Sequence, residues 1–287
     1  MQDELTKTLD SYLLSLSEMN HGDISKLHEL SICVNWPHRA NDWAMLFGLG
    51  EGFVTRDKIG RVLGSAMWFP MGETLASIGM VITSPRLQDH GAGRWLMQHI
   101  LERTTHRNKI LNATKAAYRL YISLDFVPQK TVYQHNGIVK SVPVTPEHSR
   151  PLEQSDLPAI IELDEQAYGA NRSPVLEKIA AVSEGTVLEQ AGEIVGFALR
   201  RRFGRGHVIG PVVASSEEDA VKLIQPHVAA LHGQFTRVDT RADDGPLRQF
   251  LSNSGIGLFD TVTTMTLGEP PKPGPLTTFG LVNQALG

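Results

Sequence analysis

The apolar residues of this 287-residue chain change period repeatedly, and the same order of periods occurs twice. That repetition constrains the fold more than any single segment does. In the first pass, Tyr12 to Leu16 reads as a strand, and Ile24, Leu27, His28 and Leu30 follow helical spacing behind Asp23, a residue suited to capping. A second helix is expected from Asn41 to Leu49, with Asn41 as its cap. Strands follow at Gly52 to Thr55, Val62 to Phe69 and Leu75 to Thr83, parted by the turn-prone stretches 57–60 and 70–73. Next come a helix from Gly91 to Thr105, a strand at Lys109 to Asn112, a helix at Lys115 to Leu124 and a strand-rich stretch to Val139. After a loop containing Pro143, Pro146 and Pro151 the order restarts. Asp156 precedes a helix bearing Leu157, Ile160, Ile161 and Leu163, and strands follow at Thr186 to Glu189, Ile194 to Arg201 and His207 to Ala214. A helix from Ser216 to Leu231, a strand from Phe235 to Thr240, a helix from Pro246 to Ser254 and a strand from Asp260 to Leu267 complete the pass. Two such passes describe a duplicated α+β fold, with units at 1–142 and 150–268. The stretch 269–287 opens with four prolines and is expected to be irregular, although Phe279 to Leu286 is apolar enough to dock on a surface.

Charge and composition exclude several classes. The formal net charge is −4 and the pI about 6.3, so no whole-chain basic field draws the protein to nucleic acid or an anionic membrane. The lone cysteine, Cys33, excludes an internal disulfide and a cysteine-based zinc site, and no metal is expected. No run approaches the ~18 apolar residues of a membrane span. Asp3 and Glu4 make the start acidic where a signal peptide is basic, so a cytoplasmic location is expected.

Chemistry concentrates between Met80 and Met97. A strand ends at Thr83-Ser84-Pro85, Gln88-Asp89-His90-Gly91-Ala92-Gly93 follow, and a helix begins. Successive amides in a tight turn and the unpaired donors of a helix N-terminus form an anion cradle. Glycines at 91 and 93 let a phosphate come close to the backbone, and Arg94 adds a cation. An esterase reading of His90 to Gly93 fails because the chain has no Gly-x-Ser-x-Gly elbow. Gly204 to Gly210 precedes a strand instead of opening a helix and is no dinucleotide fingerprint.

Gln88, Gly91 and Gly93, with Pro85 before them, resemble the signature of the GNAT acyltransferases. Downstream, Leu111-Asn112-Ala113-Thr114 and then Ala117, Leu120, Tyr121, Leu124 and Phe126 are similar to that family's next strand and helix. The resemblance implies a tandem GNAT fold, α/β/α layered, with a mixed and mostly antiparallel sheet flanked by helices in each half. It implies acetyl-CoA as co-substrate, its pyrophosphate on the amides of Gln88, Asp89, His90, Gly91, Ala92, Gly93 and Arg94. It also implies that the backbone of Val81, Ile82 and Thr83 lies along the pantetheine arm. Tyr121 matches the usual proton donor to the leaving thiolate. Three departures stand out. Asp125 replaces a usual glycine, Thr114 replaces a frequent asparagine, and Leu75 to Thr83 carries no acid to act as base.

An amine with a pKa near ~10 is mostly protonated at neutral pH and needs a base or a water chain. Glu51, Glu73 and His38 are candidates by position. Trp36, His38 and Arg39, with Trp43, fall where the family shapes its acceptor pocket, and they suit an aromatic or carboxylate-bearing amine. Met67, Trp68 and Phe69 are further candidates for its wall. The second half lacks the cradle, since Glu217, Glu218 and Asp219 at its helix start repel a pyrophosphate. Its segment Asp164 to Arg172 resembles one in two-domain bacterial GNAT proteins, with Tyr168 and Arg172 expected to face the acceptor. Arg200-Arg201-Arg202 and Arg205 form a basic cluster that reads as a solvated strand end, the alternative being a site for an anionic ligand. The resulting expectation is an N-acetyltransferase acting on a small-molecule amine, the alternative being a CoA-binding module without turnover.

Overall fold

The computed structural model describes residues 5–9, 12–88, 90–140, 142 and 149–287. Asp3, Glu4, Asp89, Pro143 and Pro146 of the sequence reading lie outside them. The first half runs β1 (Leu5–Leu9), β2 (Tyr12–Glu18), α1 (Ile24–Cys33), α2 (Ala40–Phe47), β3 (Glu51–Arg56), β4 (Val62–Met71) and β5 (Leu75–Thr83). It continues through α3 (Ala92–Arg103), β6 (Asn108–Ala113), α4 (Tyr118–Ile122) and β7 (Val127–Ile138). The second half runs β8 (Arg150–Pro151), α5 (Leu157–Tyr168), α6 (Ser173–Ala180), β9 (Glu184–Gln190), β10 (Glu193–Phe203) and β11 (Gly206–Ala214). It ends with α7 (Glu217–Ala230), β12 (Phe235–Thr240), α8 (Pro246–Asn253), β13 (Gly257–Leu267) and β14 (Thr277–Gly280).

The α+β order expected from the period changes is present in both halves. Two local boundaries differ for identifiable reasons. Helix α2 starts at Ala40, because Asp42 Oδ2 accepts the Arg39 N–H at 2.7 Å and closes the first turn one residue before Asn41 could cap it. Helix α6 was not anticipated, although Val175, Leu176 and Ile179 are buried at helical spacing.

Among the described residues the strands form one 14-stranded sheet, ordered β1-β2-β3-β4-β5-β6-β13-β7-β12-β11-β10-β9-β8, with β14 on β11. Only β5–β6 and β11–β12 pair in parallel. The halves interleave: β13 of the second half lies between β6 and β7 of the first, pairing Thr263–Leu267 with Lys109–Ala113. On its other side β7 pairs with β12, Phe235 opposite Ile138 and Thr240 opposite Tyr133.

Alternation along the strands divides the apolar side chains between two faces. On one face Met67 and Phe69 of β4 join Leu27, Trp43 and Leu46 in a core that runs on through Ile160, Val175, Phe197 and Leu286 of the second half. On the other face, Ala66 and Ile78 pack with Leu96 and Ile100 of α3, while Ala198 and Val212 pack with Leu223 and Ile224 of α7.

Both parallel pairs are short. β5 and β6 pair only over Leu75–Ile78 and Asn108–Leu111, and β11 and β12 only over His207–Val208 and Thr236–Arg237. Beyond those points the strands diverge and leave an open edge on β5 and on β11. In the second half that edge is taken by β14, with Val212 opposite Gly280 and Ala214 opposite Thr277. Leu281, Val282 and Leu286 beyond it are fully buried, and the Leu281 N–H donates to Asp239 O at 2.8 Å. The stretch expected to dock on a surface thus contributes a strand and a part of the interior.

Candidate active site

Where β5 ends, the chain makes a single turn at Pro85–Leu87 anchored by the fully buried Leu87, and α3 starts behind Gly91. Gly91 has φ +85°, a left-handed conformation that glycine adopts freely. No side chain among the described residues caps this helix. The Trp95 N–H reaches Gly91 O at 3.0 Å, but the N–H groups of Gly91, Ala92, Gly93 and Arg94 have no partner among the described residues. A Cβ at Gly91 would stand in open space, whereas one at Gly93 would lie 3.3 Å from Leu120 Cδ2 and 3.4 Å from Thr83 Oγ1. Gly91 therefore keeps the approach clear, and Gly93 lets α3 sit close to β5 and α4. Four unpaired donors on a helix end fit a pyrophosphate. Gln88 and His90 are exposed beside them, and Gln88 Nε2 donates to Thr83 O at 3.3 Å. The exposed Arg94 is steadied by a 2.5 Å bond from Nη2 to Ser123 Oγ. Asp89 is outside the described residues.

The open edge of β5 runs from Gly79 to Thr83 and includes Val81 and Ile82. Its pairing with β4 slips between Ser65 and Met67, opposite Met80, which has φ +53°. This bulge turns backbone groups away from the ladder, and Met80 O is held by the Ser65 hydroxyl at 2.8 Å. An extended thioester arm laid along this edge would find unpaired strand backbone over its length.

A cavity of about 190 Å³ opens where β5 and β6 part. Gly79, Met80 and Val81 form one wall and Thr114, Ala117 and Tyr121 another. Trp36 and His38 come from the loop between α1 and α2, and Phe203, Arg237, Phe259 and Asp260 from the second half. Asn283, Gln284 and Ala285 form the floor, fixed by Ser77 Oγ donating to Ala285 O at 2.6 Å and Asn112 Nδ2 donating to Gln284 O at 2.8 Å. The Tyr121 ring packs edge-on against Phe126 at 5.9 Å, and its hydroxyl has no hydrogen-bond partner among the described residues. Burial pushes this phenol above its ordinary pKa, so it keeps its proton throughout the neutral range. His38 stacks on Trp36 at 5.5 Å and meets Phe203 edge-on at 5.2 Å. Burial first and then Arg237 push the His38 imidazole down to about 3, which keeps it neutral.

Other expected residues lie elsewhere. The Arg39 side chain is 49% exposed on a separate surface cleft with Asn41 and Lys178. Arg172 does not face the cavity: its guanidinium is wholly buried, with Nε and Nη2 on Asp164 at 2.7 and 2.8 Å. Its Nη1 donates to Leu286 O and Gly287 O at 2.8 and 2.7 Å, and the Tyr168 ring lies 4.0 Å from its Cζ. Tyr168 and Arg172 thus clamp the C-terminal segment. Trp43 is core, bonding Ser31 Oγ at 3.0 Å, as are Met67 and Phe69. Glu51 lines a different cleft, and Glu73 is exposed in the β4–β5 turn. Asp125 has φ +64°, the left-handed conformation that its replacement of a glycine implies. Arg200 and Arg201 are buried instead of solvated, Arg200 pairing with Glu184.

The family model described as the acetyltransferase (GNAT) family matches residues 25–126, and one described as an acetyltransferase (GNAT) domain matches residues 160–279. The chain belongs to the GNAT acetyltransferases. Over 92% of this GNAT chain and 98% of the relative, it is 26% identical to the uncharacterized N-acetyltransferase YitH of Bacillus subtilis. In fold it is similar to a provisionally named acetyltransferase of Pyrococcus horikoshii, with a TM-score of 0.81 at 18% identity over 100% of this chain and 99% of that one. It is also similar to a tandem GNAT protein from the clavulanic acid biosynthesis pathway, with a TM-score of 0.63 at 13% identity over 88% and 98% of the two chains. The protein is an N-acetyltransferase that transfers an acyl group to an acceptor. No helix among the described residues is long and apolar enough to cross a membrane.

Proposed function

We propose that this GNAT enzyme transfers the acetyl group of acetyl-CoA to the amine of a small molecule held in the cavity between its halves. One observation carries the reading: the amides of Gly91 to Arg94, without a partner among the described residues, stand at one end of the open β5 edge, and the cavity at the other. Gly91, Ala92, Gly93 and Arg94, with Gln88 and His90 beside them, would hold the pyrophosphate, and Val81, Ile82 and Thr83 the pantetheine arm. Acetyl-CoA supplies an already activated thioester, so the protein's task is mainly to orient the amine.

The bulged backbone at Met80 is placed to polarise the reacting carbonyl. Tyr121 Oη holds a proton beside the cavity and delivers it to the departing sulfur. Glu51 and Glu73 do not line the cavity, and the depressed His38 is a weak base. Asp260 is the carboxylate on the wall among the described residues. Lys115, at 3.0 Å, is the first cause of its lowered pKa, so it stays ionised at neutral pH and can attract the ammonium form to the rim, where the amine loses its proton to solvent. A cavity of about 190 Å³ suits a small amine better than a protein side chain with its flanking backbone.

Calorimetric titration with acetyl-CoA tests the reading. One-site binding to the wild type that disappears in a Gly91→Glu, Gly93→Glu variant is expected, followed by amine-dependent thiol release. Absence of binding to the wild type would overturn the proposal.

A further inference from the structure

The second half contributes a cation to the cavity that the transfer chemistry above does not use. Arg237 and Asp239 lie two residues apart on β12, so their side chains share one face of the strand. Asp239 is fully buried and accepts from Arg237 Nε at 3.0 and 3.1 Å and from Nη2 at 2.7 Å. This grip fixes the guanidinium plane and leaves Nη1 as its free corner. Nη1 has no partner among the described residues, and it is not among the buried polar atoms cut off from the surface. Arg237 lines the cavity, and its Cζ lies 5.8 Å from the centre of the Phe203 ring.

Two guanidinium groups flank that ring. Arg201, 5.6 Å from the same ring, is buried and donates only to Gly210 O at 3.2 Å and Val282 O at 2.9 Å. No carboxylate lies within ion-pair distance of Arg201 among the described residues. Arg201 is offset through space by Asp42 and then Asp239, so the guanidinium with an unmet corner toward the cavity is that of Arg237, and His38 beside it stays neutral. Guanidinium N–H donors at a cavity wall favour an anionic acceptor over a neutral one. The free Nη1 offers its N–H pair into a small cavity walled by Phe203, Trp36 and Phe259.

We infer that the acceptor amine carries a carboxylate, and that Arg237 binds it. The inference rests on the acceptor cavity proposed above. Arg237 anchors the end of the acceptor remote from the amine, and the aromatic walls hold the body between the two. The bond is charge-assisted and oriented, because Asp239 has already fixed the guanidinium.

Ligand-observed NMR on the acetyl-CoA-loaded wild type can test this with matched pairs: 4-aminobenzoate against 4-aminobenzamide, and β-alanine against β-alaninamide. The acids should bind about 10- to 100-fold more tightly than their carboxamides, the range expected for a hydrogen bond to a charged group. Arg237→Gln should erase that preference and leave the carboxamides unchanged. Since this substitution strands Asp239, the Arg237→Gln, Asp239→Asn double variant serves as a second test in a neutral setting. Acids that bind no better than carboxamides to the wild type, or a preference that survives in either variant, would overturn the inference. Acetyl-CoA affinity of the variants should match the wild type. If the wild type itself binds no acetyl-CoA, the cofactor reading fails, and the acid–carboxamide comparison on the free protein still decides the role of Arg237.

Discussion

Replacing Arg172 by methionine should lower stability sharply by releasing the C-terminal segment. The Arg172 and Asp164 side chains are 0% and 1% exposed, and the guanidinium spends its remaining donor on Leu286 O and Gly287 O. Removing one partner of such a pair leaves a buried, uncompensated carboxylate and costs about 3–5 kcal/mol. For a chain of this size each kcal/mol moves the melting temperature by roughly 2–4 °C. Arg172→Met should therefore melt about 6–20 °C below the wild type when followed by circular dichroism. Adding Asp164→Leu removes the stranded charge and should restore part of the loss. Recovery stays incomplete because the two carbonyls remain without their donor, at about 1–3 kcal/mol for each group left unsatisfied. Thiol release should also fall, because Gln284 and Ala285 form the cavity floor just before the clamped residues. A variant that melts within a degree or two of the wild type but shows a raised acceptor KM would refute this. That result would mean that Arg172 touches the acceptor and does not clamp the chain.

Three further outcomes are expected. Tyr121→Phe should reduce turnover by about 100-fold or more while acetyl-CoA affinity holds, as a lost proton donor would; unchanged turnover in a thiol-release assay would remove the hydroxyl from the reaction. Gly79→Ala puts a Cβ 2.5 Å from Ala285 Cβ and 2.8 Å from its Cα and should cost about 1–3 kcal/mol in urea unfolding, of which Ala285→Gly recovers only a part. His38 and His227 are depressed in the folded protein to about 3 and about 4 from an ordinary 6.5, so both favour the neutral form on folding. Their contribution is complete above about pH 6.5 and is lost as pH falls towards 4 and then 3, so the urea midpoint should drop across that window. His38→Phe should make the drop shallower, and a midpoint indifferent to acid would contradict the burial argument.

The cradle was legible because its parts are contiguous: a strand, a turn with glycines at set positions, and a helix lie within 18 residues of chain from Met80 to Met97. Tyr121 was legible for the same reason, being one helix further on. The acceptor side was not, because its walls come from segments far apart in sequence. Phe203, Arg237, Asp260 and Gln284 reach the cavity only because β13 enters the sheet between β6 and β7. Period reading assigns a strand but does not show its neighbours. Arg172 illustrates the error that follows, since an arginine in a motif-like segment reads as exposed until its buried aspartate is seen. A signal did exist for Arg237 and Asp239. Opposite charges two apart share one face of a strand and are expensive to bury unless they pair, so Arg237 and Asp239 within Phe235 to Thr240 were already candidates for a buried ion pair.

The two halves share one plan, yet they treat the corresponding edge in opposite ways, and the C-terminal segment accounts for both outcomes. In the second half β14 supplies the hydrogen bonds that β5 leaves open in the first, and α7 is capped from within by Ser216, whose hydroxyl accepts the Asp219 N–H at 3.2 Å. Glu217 of the same turn reaches to the start of α8 and accepts the Leu247 N–H at 3.0 Å, which leaves acidic charge beside the end of α7 where a phosphate would have to sit. The strand edge of the second half is taken, the Asp219 amide is capped, and the acids of the first turn of α7 repel a ligand like the one proposed for the first half. The strand that closes this edge continues within four residues into the floor of the first half's cavity. Closing one half and shaping the acceptor site of the other are thus two effects of a single stretch of chain. A change in β14 that loosened the second half would shift Gln284 and Ala285 as well, so the single acetyl-CoA site and the acceptor shape proposed above would be set together.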